Sequence, residues 1–221
     1  MMDTKPKAFL FDLNGTMIND MVFHNHAWHD ILTKDLGANI SFEAVKKEMY
    51  GKNQDLLERV FGVGHFAQEQ VDQISIEKER RYQSAYKKHL ELIAGLGAFL
   101  DKAKSSNILM AIGSAAIPFN INFVLDNLDI RSYFKAIVSA EDVVNSKPDP
   151  ETFTKGAQIL GVSARECIVF EDAPKGVEAA RNAGMKCIAL TTMHTKEEFD
   201  SYDNIIAFIE DYNDPILEKL F

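Results

Sequence analysis

The sequence lacks the features that mark membrane, secreted and nucleic-acid-binding proteins. No apolar run approaches the roughly 20 residues that a bilayer-spanning helix needs, and the N-terminus lacks the long apolar stretch of a signal peptide. Positive charge is scarce. The sequence has 24 Lys and Arg residues and 33 Asp and Glu residues, so its formal net charge is -9. An acidic surface argues against nucleic acid or a membrane as partner. We therefore expect a cytoplasmic protein.

Cysteine is also rare, and the chain has no repeats, low-complexity tracts or proline-rich linkers. Cys167 and Cys187 lie in apolar runs, which favours buried reduced thiols over a disulfide or a metal pair. What remains is a globular composition, with 46% hydrophobic and 26% charged residues. A chain of 221 residues is long enough for one core and a small accessory domain.

Short apolar runs alternate with amphipathic helical segments over most of the chain. Alternation of this kind favours βαβ units, so we predict an α/β fold with a doubly wound parallel sheet. The predicted strands are 8–11, 108–112, 136–139, 167–170, 187–190 and 205–209. The predicted helices between them are 96–104, 119–127, 151–160 and 176–183.

The segment 19–91 differs, because its apolar residues recur at helical spacing throughout. We predict that 19–91 forms an inserted all-helical domain, and that 1–18 and 92–221 together form the α/β domain. The two crossings, 17–21 and 88–95, would then act as hinges.

Polar residues follow several of the predicted strands. Asp12 ends the first, Ser114 follows the second, and the adjacent acids Glu171 and Asp172 follow a later one, while Lys147 precedes a Pro-x-Pro turn. Each has an ordinary structural explanation, such as a turn cap, a helix cap or a solvated lysine. Ligands of parallel sheets, however, bind beyond the carboxyl ends of the strands, where these side chains would meet. Paired carboxylates there suit Mg²⁺.

In this order, the segments FDLNGT, IGSAA, SKPDP and VFEDAPKGVEAARNAGM resemble the four motifs of the haloacid dehalogenase superfamily. The resemblance covers essentially the whole chain, and the helical insert resembles the C1-type cap of that superfamily. The stretch INDMVFHNHAW, with its histidine at His24, is similar to the β-phosphoglucomutase-like branch.

The resemblance implies phosphoryl transfer through an aspartyl-phosphate on Asp12. It places Mg²⁺ on Asp12, the Asn14 carbonyl and Asp172, with support from Glu171. It gives Ser114 and Lys147 the remaining phosphate oxygens. The main-chain amide at Ala115, the Thr16 hydroxyl and the cap residues His24, Lys52, Gln54 and Lys78 would contact a small phosphorylated metabolite.

Asn14 departs from the superfamily pattern, which has a second aspartate there as general acid and base. An amide cannot exchange a proton in this way, and such help is worth about 10²–10⁴-fold. Asn14 could be native with slow catalysis, an engineered substitution that traps an intermediate, or the mark of a binding protein without turnover. The intact remaining motifs favour the first. His24 is a candidate replacement proton carrier, although a substrate contact or a solvated surface position is the favoured interpretation.

Gln54 departs from the mutase pattern, because it stands where a mutase has an arginine that anchors the distal phosphate. An amide is a weaker anchor than a guanidinium. The sequence therefore favours a phosphatase over a sugar-phosphate mutase. A cap of this size often closes a site within one subunit, so we expect a monomer. A dehalogenase is disfavoured, because it would have no need of a metal site.

Overall fold

The computed structural model describes residues 5–221, and its centre is a sheet of six parallel strands. The first four residues of the predicted segment 1–18 lie outside the described range. The strands lie in the order β3-β2-β1-β4-β5-β6. They are β1 Ala8–Phe11, β2 Leu109–Gly113, β3 Ala136–Val138, β4 Cys167–Glu171, β5 Lys186–Leu190 and β6 Ile205–Ile209. The doubly wound parallel sheet predicted from the sequence is confirmed.

Residues 21–89, between β1 and the rest of the sheet region, form helices joined by loops. These are α1 Met21–Asp30, continued by a π-helical turn at Ile31–Asp35, then α2 Phe42–Lys47, α3 Asn53–Phe61 and α4 Gln68–Tyr86. They share an apolar cluster of their own, formed by Trp28, Ile31, Leu32, Val45, Leu56, Leu57 and Val71. The helical character predicted for the insert is thus present, while the division into two domains stays a prediction.

Four further helices cover the two faces of the sheet, namely α5 Leu96–Ser105, α6 Pro118–Asn127, α7 Glu151–Leu160 and α8 Pro174–Asn182. In β1, Phe9 and Phe11 join the apolar cluster on one face, and Leu10 joins the cluster on the other. This is the two-residue alternation of a strand. In α7, Phe153 and Ala157 stand one turn apart and pack on the Leu10 face, as the helical spacing predicts.

The strand register brings the ends of the three central strands to one level. Phe11 in β1 lies opposite Ile112 in β2 and Phe170 in β4. The residues that follow these positions therefore meet at one edge of the sheet. Beyond β1, the amide of Ile93 donates to the carbonyl of Met17 at 2.9 Å, so the two predicted hinge segments are hydrogen-bonded to each other.

Both cysteines are buried and free, as predicted. Burial raises the pKa of the Cys167 thiol to about 12, so this thiol stays protonated and unreactive at neutral pH. Within residues 5–221, no helix combines the length and the apolar character that crossing a membrane would require.

Candidate active site

A cavity of about 280 Å³ lies between the carboxyl edge of the sheet and the helical insert. From the sheet region it is lined by Asp12, Asn14, Ser114, Ala115, Lys147, Glu171 and Asp172, among others. From the insert it is lined by His24, Asn25, Trp28, Lys52, Lys78 and Glu79, together with apolar side chains. The fold therefore brings together most of the predicted site residues. Thr16 and Gln54 are not among the lining residues.

Three charged side chains form the floor of the cavity. The ammonium of Lys147 donates to Asp12 Oδ1 at 2.6 Å and to Glu171 Oε1 at 2.7 Å. All three residues are at most 8% exposed. Hydrogen bonds between buried ions are short and hold their partners in place. Lys147 thus fixes the carboxylate of Asp12 at the end of β1.

The floor carries more negative charge than Lys147 can balance. Burial raises the pKa of Asp12 to about 7, an effect that Lys147 opposes and Glu171 reinforces. Burial, with the repulsion of Glu171 and Asp12, also raises the pKa of Asp172 well above its usual range. Burial alone would lower the pKa of Lys147, but its two carboxylate partners outweigh burial and raise it. A further cation would relieve this excess of negative charge.

Thr16 does not reach the cavity, which corrects its predicted contact with substrate. The residue is fully buried, and its hydroxyl donates to Asp172 Oδ1 at 3.1 Å. The neighbouring Gly15 has a φ of +77°, and a Cβ there would lie 2.0 Å from Asp172 Oδ2. Only glycine permits this approach without displacing the acid. Thr16 and Gly15 therefore hold Asp172 in place.

Glu171 has other partners than the metal predicted for it. One carboxylate oxygen accepts from Lys147, and the second accepts from the amide of Ala173 at 2.9 Å. Gly176 packs so closely that a Cβ would lie 1.8 Å from Glu171 Oε1. Both oxygens of Glu171 are thus engaged within the protein. We conclude that Glu171 positions Lys147, while the prediction that it supports the metal, through water or directly, stays a prediction.

Ser114 lies beyond β2 with a hydroxyl that can donate into the cavity. Its amide donates to the carbonyl of Val138 at 2.9 Å, which joins the ends of β2 and β3. Its Oγ accepts from the amide of Ala116 at 3.1 Å. Because that contact uses Oγ as acceptor, the hydroxyl hydrogen remains available to an anion. Ala115, the next residue, also lines the cavity.

Asn14 lies two residues after Asp12 and is half-buried. Its amide Nδ2 donates to Asp20 Oδ2 at 2.6 Å and lies 3.1 Å from His24 Nε2. The side chain thus links the loop after β1 to the start of the helical insert. The main chain of Asn14 also forms an isolated β-bridge with Ile18, which closes the loop after β1.

His24 is 5% exposed, so the interpretation that it lies on a solvated surface is wrong. Its Nδ1 lies 3.1 Å from the ammonium of Lys78, and its Nε2 lies 3.3 Å from Asp20 Oδ2. An ammonium can only donate, so Nδ1 is the acceptor and the ring hydrogen lies on Nε2. Both nitrogens therefore have partners within the protein. This arrangement offers neither nitrogen as a replacement proton carrier at the cavity.

Lys78 and Glu79 form a buried ion pair in the insert. The two side chains are 3% and 2% exposed and their charged atoms lie 2.6 Å apart. Burial would raise the pKa of Glu79, but the charge and hydrogen bond of Lys78 outweigh burial and lower the pKa instead. Lys78 lines the cavity as predicted, although its charge is already balanced by a neighbour.

Lys52 bridges the insert to the sheet region. Its ammonium donates to the carbonyl of Val143 at 2.6 Å and to that of Val144 at 3.3 Å, in the loop that leads to Lys147. The hydroxyl of Ser146 donates to Asp55 Oδ2 at 2.7 Å beside it. Lys52 lines the cavity, but its charged group is directed to this loop.

Gln54 is exposed and lies away from the cavity, which corrects its predicted contact with substrate. Its Nε2 donates to Glu58 Oε1, one helical turn further along α3, at 2.8 Å. It lines a second cavity, between the insert and the loops after β2 and β3.

Sequence reasoning missed three buried polar residues beside the cavity, namely Asp20, Asn25 and Glu79. They are at most 5% exposed, and each has an oxygen without a hydrogen-bond donor in residues 5–221. Glu79 stands with Tyr82 and Tyr86 on the buried face of α4. A charged residue at the apolar positions of an amphipathic helix was the available signal.

Comparison with known proteins places this arrangement in a family. The family model described as haloacid dehalogenase-like hydrolase matches residues 9–190. The chain belongs to this family. The chain is 30% identical over 184 residues to the fructose-1-phosphate phosphatase YqaB of Escherichia coli, and the match covers 82% of this chain and 94% of that protein. The family recognition made from the sequence is thus confirmed.

Other relatives include a mutase. The β-phosphoglucomutase of Bacillus subtilis is 29% identical over 195 residues, covering 83% of each chain. A solved structure of a family IA hydrolase from Entamoeba histolytica superposes with a TM-score of 0.85 at 26% identity, covering 97% of both chains. The prediction of an enzyme of the phosphatase or phosphomutase class is confirmed at this level.

Proposed function

We propose that this hydrolase is a phosphatase that cleaves a phosphate monoester of a small metabolite, such as a sugar phosphate, with Asp12 as nucleophile. One observation carries the proposal. The carboxylate of Asp12 is held by Lys147 on the floor of a cavity that also holds Asp172 and the Ser114 hydroxyl. A fixed carboxylate beside donors for phosphate oxygens suits in-line attack on phosphorus.

Lys147 has two roles in this proposal. It keeps Asp12 in position, and its charge offsets the repulsion between the carboxylates and an entering phosphate. Ser114 donates its hydroxyl hydrogen to a phosphate oxygen, and the amide region at Ala115 lies next to it. The apolar lining from Trp28 and its neighbours excludes water around the bound ester.

Magnesium is part of the proposal, and the donor set fits it in part. Among residues 5–221, no three His, Cys, Asp or Glu side chains lie close enough to hold a metal by themselves. Asp12, Asp172 and the Asn14 carbonyl would hold the ion, with oxygens of the substrate completing the set. Burial, and after it the neighbouring carboxylates, raise the pKa values of Asp12 and Asp172, and a hard cation there would offset both effects. When bound, Mg²⁺ would neutralise phosphate charge and orient the group.

The mutase is the second candidate, because a β-phosphoglucomutase is among the relatives. A mutase must hold a second phosphate, and two of the three insert lysines that line the cavity are already engaged, while the third, Lys46, is exposed. Lys78 pairs with Glu79, Lys52 binds main-chain carbonyls, and Gln54 lies outside the cavity. These contacts favour a monophosphate substrate. A binding protein without turnover is the third candidate, because Asn14 cannot exchange a proton.

The test is phosphate release from a panel of sugar monophosphates, with Mg²⁺ and with a chelator, for the protein and its Asp12→Asn variant. We expect Mg²⁺-dependent release and a covalent phosphoenzyme, both absent from Asp12→Asn. Turnover only with added sugar bisphosphate would favour the mutase. Metal and phosphate binding with neither product nor phosphoenzyme would favour the binding protein. The monomeric state and cytoplasmic location stay predictions.

A further inference from the structure

Asp20 is a buried carboxylate at the point where the chain passes from the sheet region into α1. It is 0% exposed and stands immediately before the first residue of α1. An aspartate at this position normally accepts from the first amides of the helix. The Asp20 side chain makes no such capping bond. Burial of a charge without a helix cap indicates that the carboxylate has other partners.

Those partners converge on one oxygen of Asp20. Oδ2 accepts from Tyr82 at 2.5 Å and from Asn14 Nδ2 at 2.6 Å, and it lies 3.3 Å from His24 Nε2. Burial and the Asp20 charge raise the pKa of the Tyr82 hydroxyl, which keeps it protonated as a donor. Oδ1 has no donor within residues 5–221. The carboxylate is therefore held by neutral donors on one side only.

The contact with Asp20 decides how the Asn14 amide is oriented. Asn14 lines the cavity and Asp20 does not. Because Asp20 can only accept, it selects the orientation in which Nδ2 points towards it. The other amide atom, Oδ1, is then the one left for a molecule in the cavity. Oδ1 is an acceptor, so it can bind a hydroxyl hydrogen but cannot remove it as a base.

We propose that Asp20 is a positioning residue, which turns the amide of Asn14 so that its Oδ1 orients the water that cleaves the aspartyl-phosphate. This inference rests on the proposed function. The water oxygen bonds to phosphorus, the bond from phosphorus to the Asp12 oxygen breaks, and Asp12 is again a carboxylate. Both hydrogens of the water leave on inorganic phosphate, so the step needs orientation from Asn14 rather than proton removal.

A consequence of this pairing is that residues 14 and 20 form a matched amide and acid. A carboxylate at position 14 would have no hydrogen to donate to Asp20, and two acids would face each other at the 2.6 Å contact. Exchanging the two groups would restore the hydrogen bond, with the acid now lining the cavity. The double variant Asn14→Asp/Asp20→Asn should therefore hydrolyse the phosphoenzyme faster than the single variant Asn14→Asp.

The test separates formation of the phosphoenzyme from its hydrolysis, using p-nitrophenyl phosphate with Mg²⁺ and acid quenching. We expect Asp20→Leu to slow hydrolysis of the phosphoenzyme by about tenfold or more, the effect of losing one hydrogen bond to a charged group. Its formation and the KM should stay within about twofold of the parent protein. Asp20→Asn, which keeps an acceptor for Asn14 and Tyr82, should restore most of the hydrolysis rate.

Tyr82→Phe is the matched control, since it removes another donor to Asp20 and leaves Asn14 bonded. It should lower the melting temperature without slowing hydrolysis. Equal slowing by Tyr82→Phe and Asp20→Leu, or hydrolysis unchanged in Asp20→Leu, would overturn the positioning role. In the second case the phosphoenzyme still forms, so the proposed function survives. A double variant no faster than Asn14→Asp would also overturn the pairing. Absence of any phosphoenzyme in the parent protein would overturn both proposals.

Discussion

Two buried charged clusters flank the cavity, and they differ in how their charge is balanced. The floor cluster holds Asp12, Glu171 and Asp172 with one cation, Lys147. The insert cluster comprises Asp20, His24, Lys78, Glu79 and Tyr82, linked by hydrogen bonds and one close ion pair. In the floor, burial and repulsion raise the pKa of Asp12 to about 7, whereas in the insert the pKa of Glu79 is lowered.

The difference separates a cluster with an excess of negative charge, which calls for a ligand, from a cluster built around the balanced ion pair of Lys78 and Glu79. An excess of buried charge is costly until a cation or a reaction partner relieves it, which is typical of functional sites. A self-balanced pair mainly fixes geometry. We therefore expect changes in the floor to affect turnover most, and changes in the insert to affect stability and positioning most.

The largest effect should come from Lys147→Met. Removing the one cation of the floor should lower kcat by roughly 10²–10³-fold, the usual loss for a donor that stabilises transition-state charge. Steady-state assays with Mg²⁺ would measure it. Lys135→Met, at an exposed lysine just before β3, is the control and should change kcat less than twofold. A tenfold or smaller loss for Lys147→Met would mean that the floor cluster is not the catalytic one.

Asp12→Asn should stabilise the metal-free protein at alkaline pH. Because the pKa of Asp12 is raised from 3.8 to about 7 on folding, the folded state binds more protons in that interval, and stability falls as pH rises through it. The loss is of the order of 4 kcal/mol at most. The variant removes this loss, so its melting temperature should exceed the parent value at pH 8.

The stabilisation by Asp12→Asn should shrink towards pH 4, because Asp12 is protonated there and resembles the amide. Calorimetry in chelator at several pH values would measure it. A lower melting temperature for the variant at pH 8 would show that Lys147 holds the Asp12 charge more favourably than burial disfavours it.

Glu79→Gln should act on stability rather than on turnover. It leaves the buried Lys78 ammonium without its partner, which typically costs about 3 kcal/mol. The folded-state pKa of Glu79 is lowered, so its contribution is present above the unfolded value of 4.5 and is lost as pH falls below it. Chemical unfolding should therefore show a large difference in the free energy of unfolding between the parent protein and Glu79→Gln at pH 7, and a small one at pH 4.

A double variant sharpens this contrast between the clusters. Replacing both partners, as Lys78→Met/Glu79→Leu, should recover much of the stability lost in Glu79→Gln, because apolar side chains of similar volume avoid the unpaired charge. If the double variant does not recover stability, the ion pair does not act as described. A loss of kcat above tenfold in Glu79→Gln would show that the insert cluster takes part in catalysis.

The smallest effect should come from Lys52→Met. Its ammonium joins the insert to the loop before Lys147 through two carbonyls, so its loss should raise KM by about fivefold, within the worth of one hydrogen bond, and spare kcat. Gln54→Ala, two residues further along, is the matched control and should leave both constants within about twofold. An equal effect of the two variants on KM would show that the contact of Lys52 with the loop does not contribute to substrate binding.

The sheet and its floor cluster could be predicted from the sequence because local patterns determine both. Apolar runs such as 167–170 have the length of buried strands, and parallel strands bring Asp12, Ser114 and Asp172 to one edge. No knowledge of distant contacts was needed for these steps.

The insert side could not be predicted because its side chains choose among distant partners. Lys52 and Gln54 are only two positions apart at the start of α3, and the packing of this region directs one to Val143 and the other to solvent. Thr16 turns to Asp172 and not to the cavity. The carboxylate of Asp20 accepts from Tyr82, which lies 62 residues away along the chain. Such choices depend on three-dimensional packing.

The common level of β1, β2 and β4 has a consequence for how this chain can change during evolution. Each residue advances a strand by about 3.3 Å, so inserting or deleting one residue in β1 would move Asp12 out of reach of Lys147. The helical insert is instead connected to the sheet region through two neighbouring segments, which are joined by the hydrogen bond from the Ile93 amide to the Met17 carbonyl. Its loops can lengthen or be exchanged without shifting that level. New substrate preferences are therefore far more accessible through the insert than through the sheet.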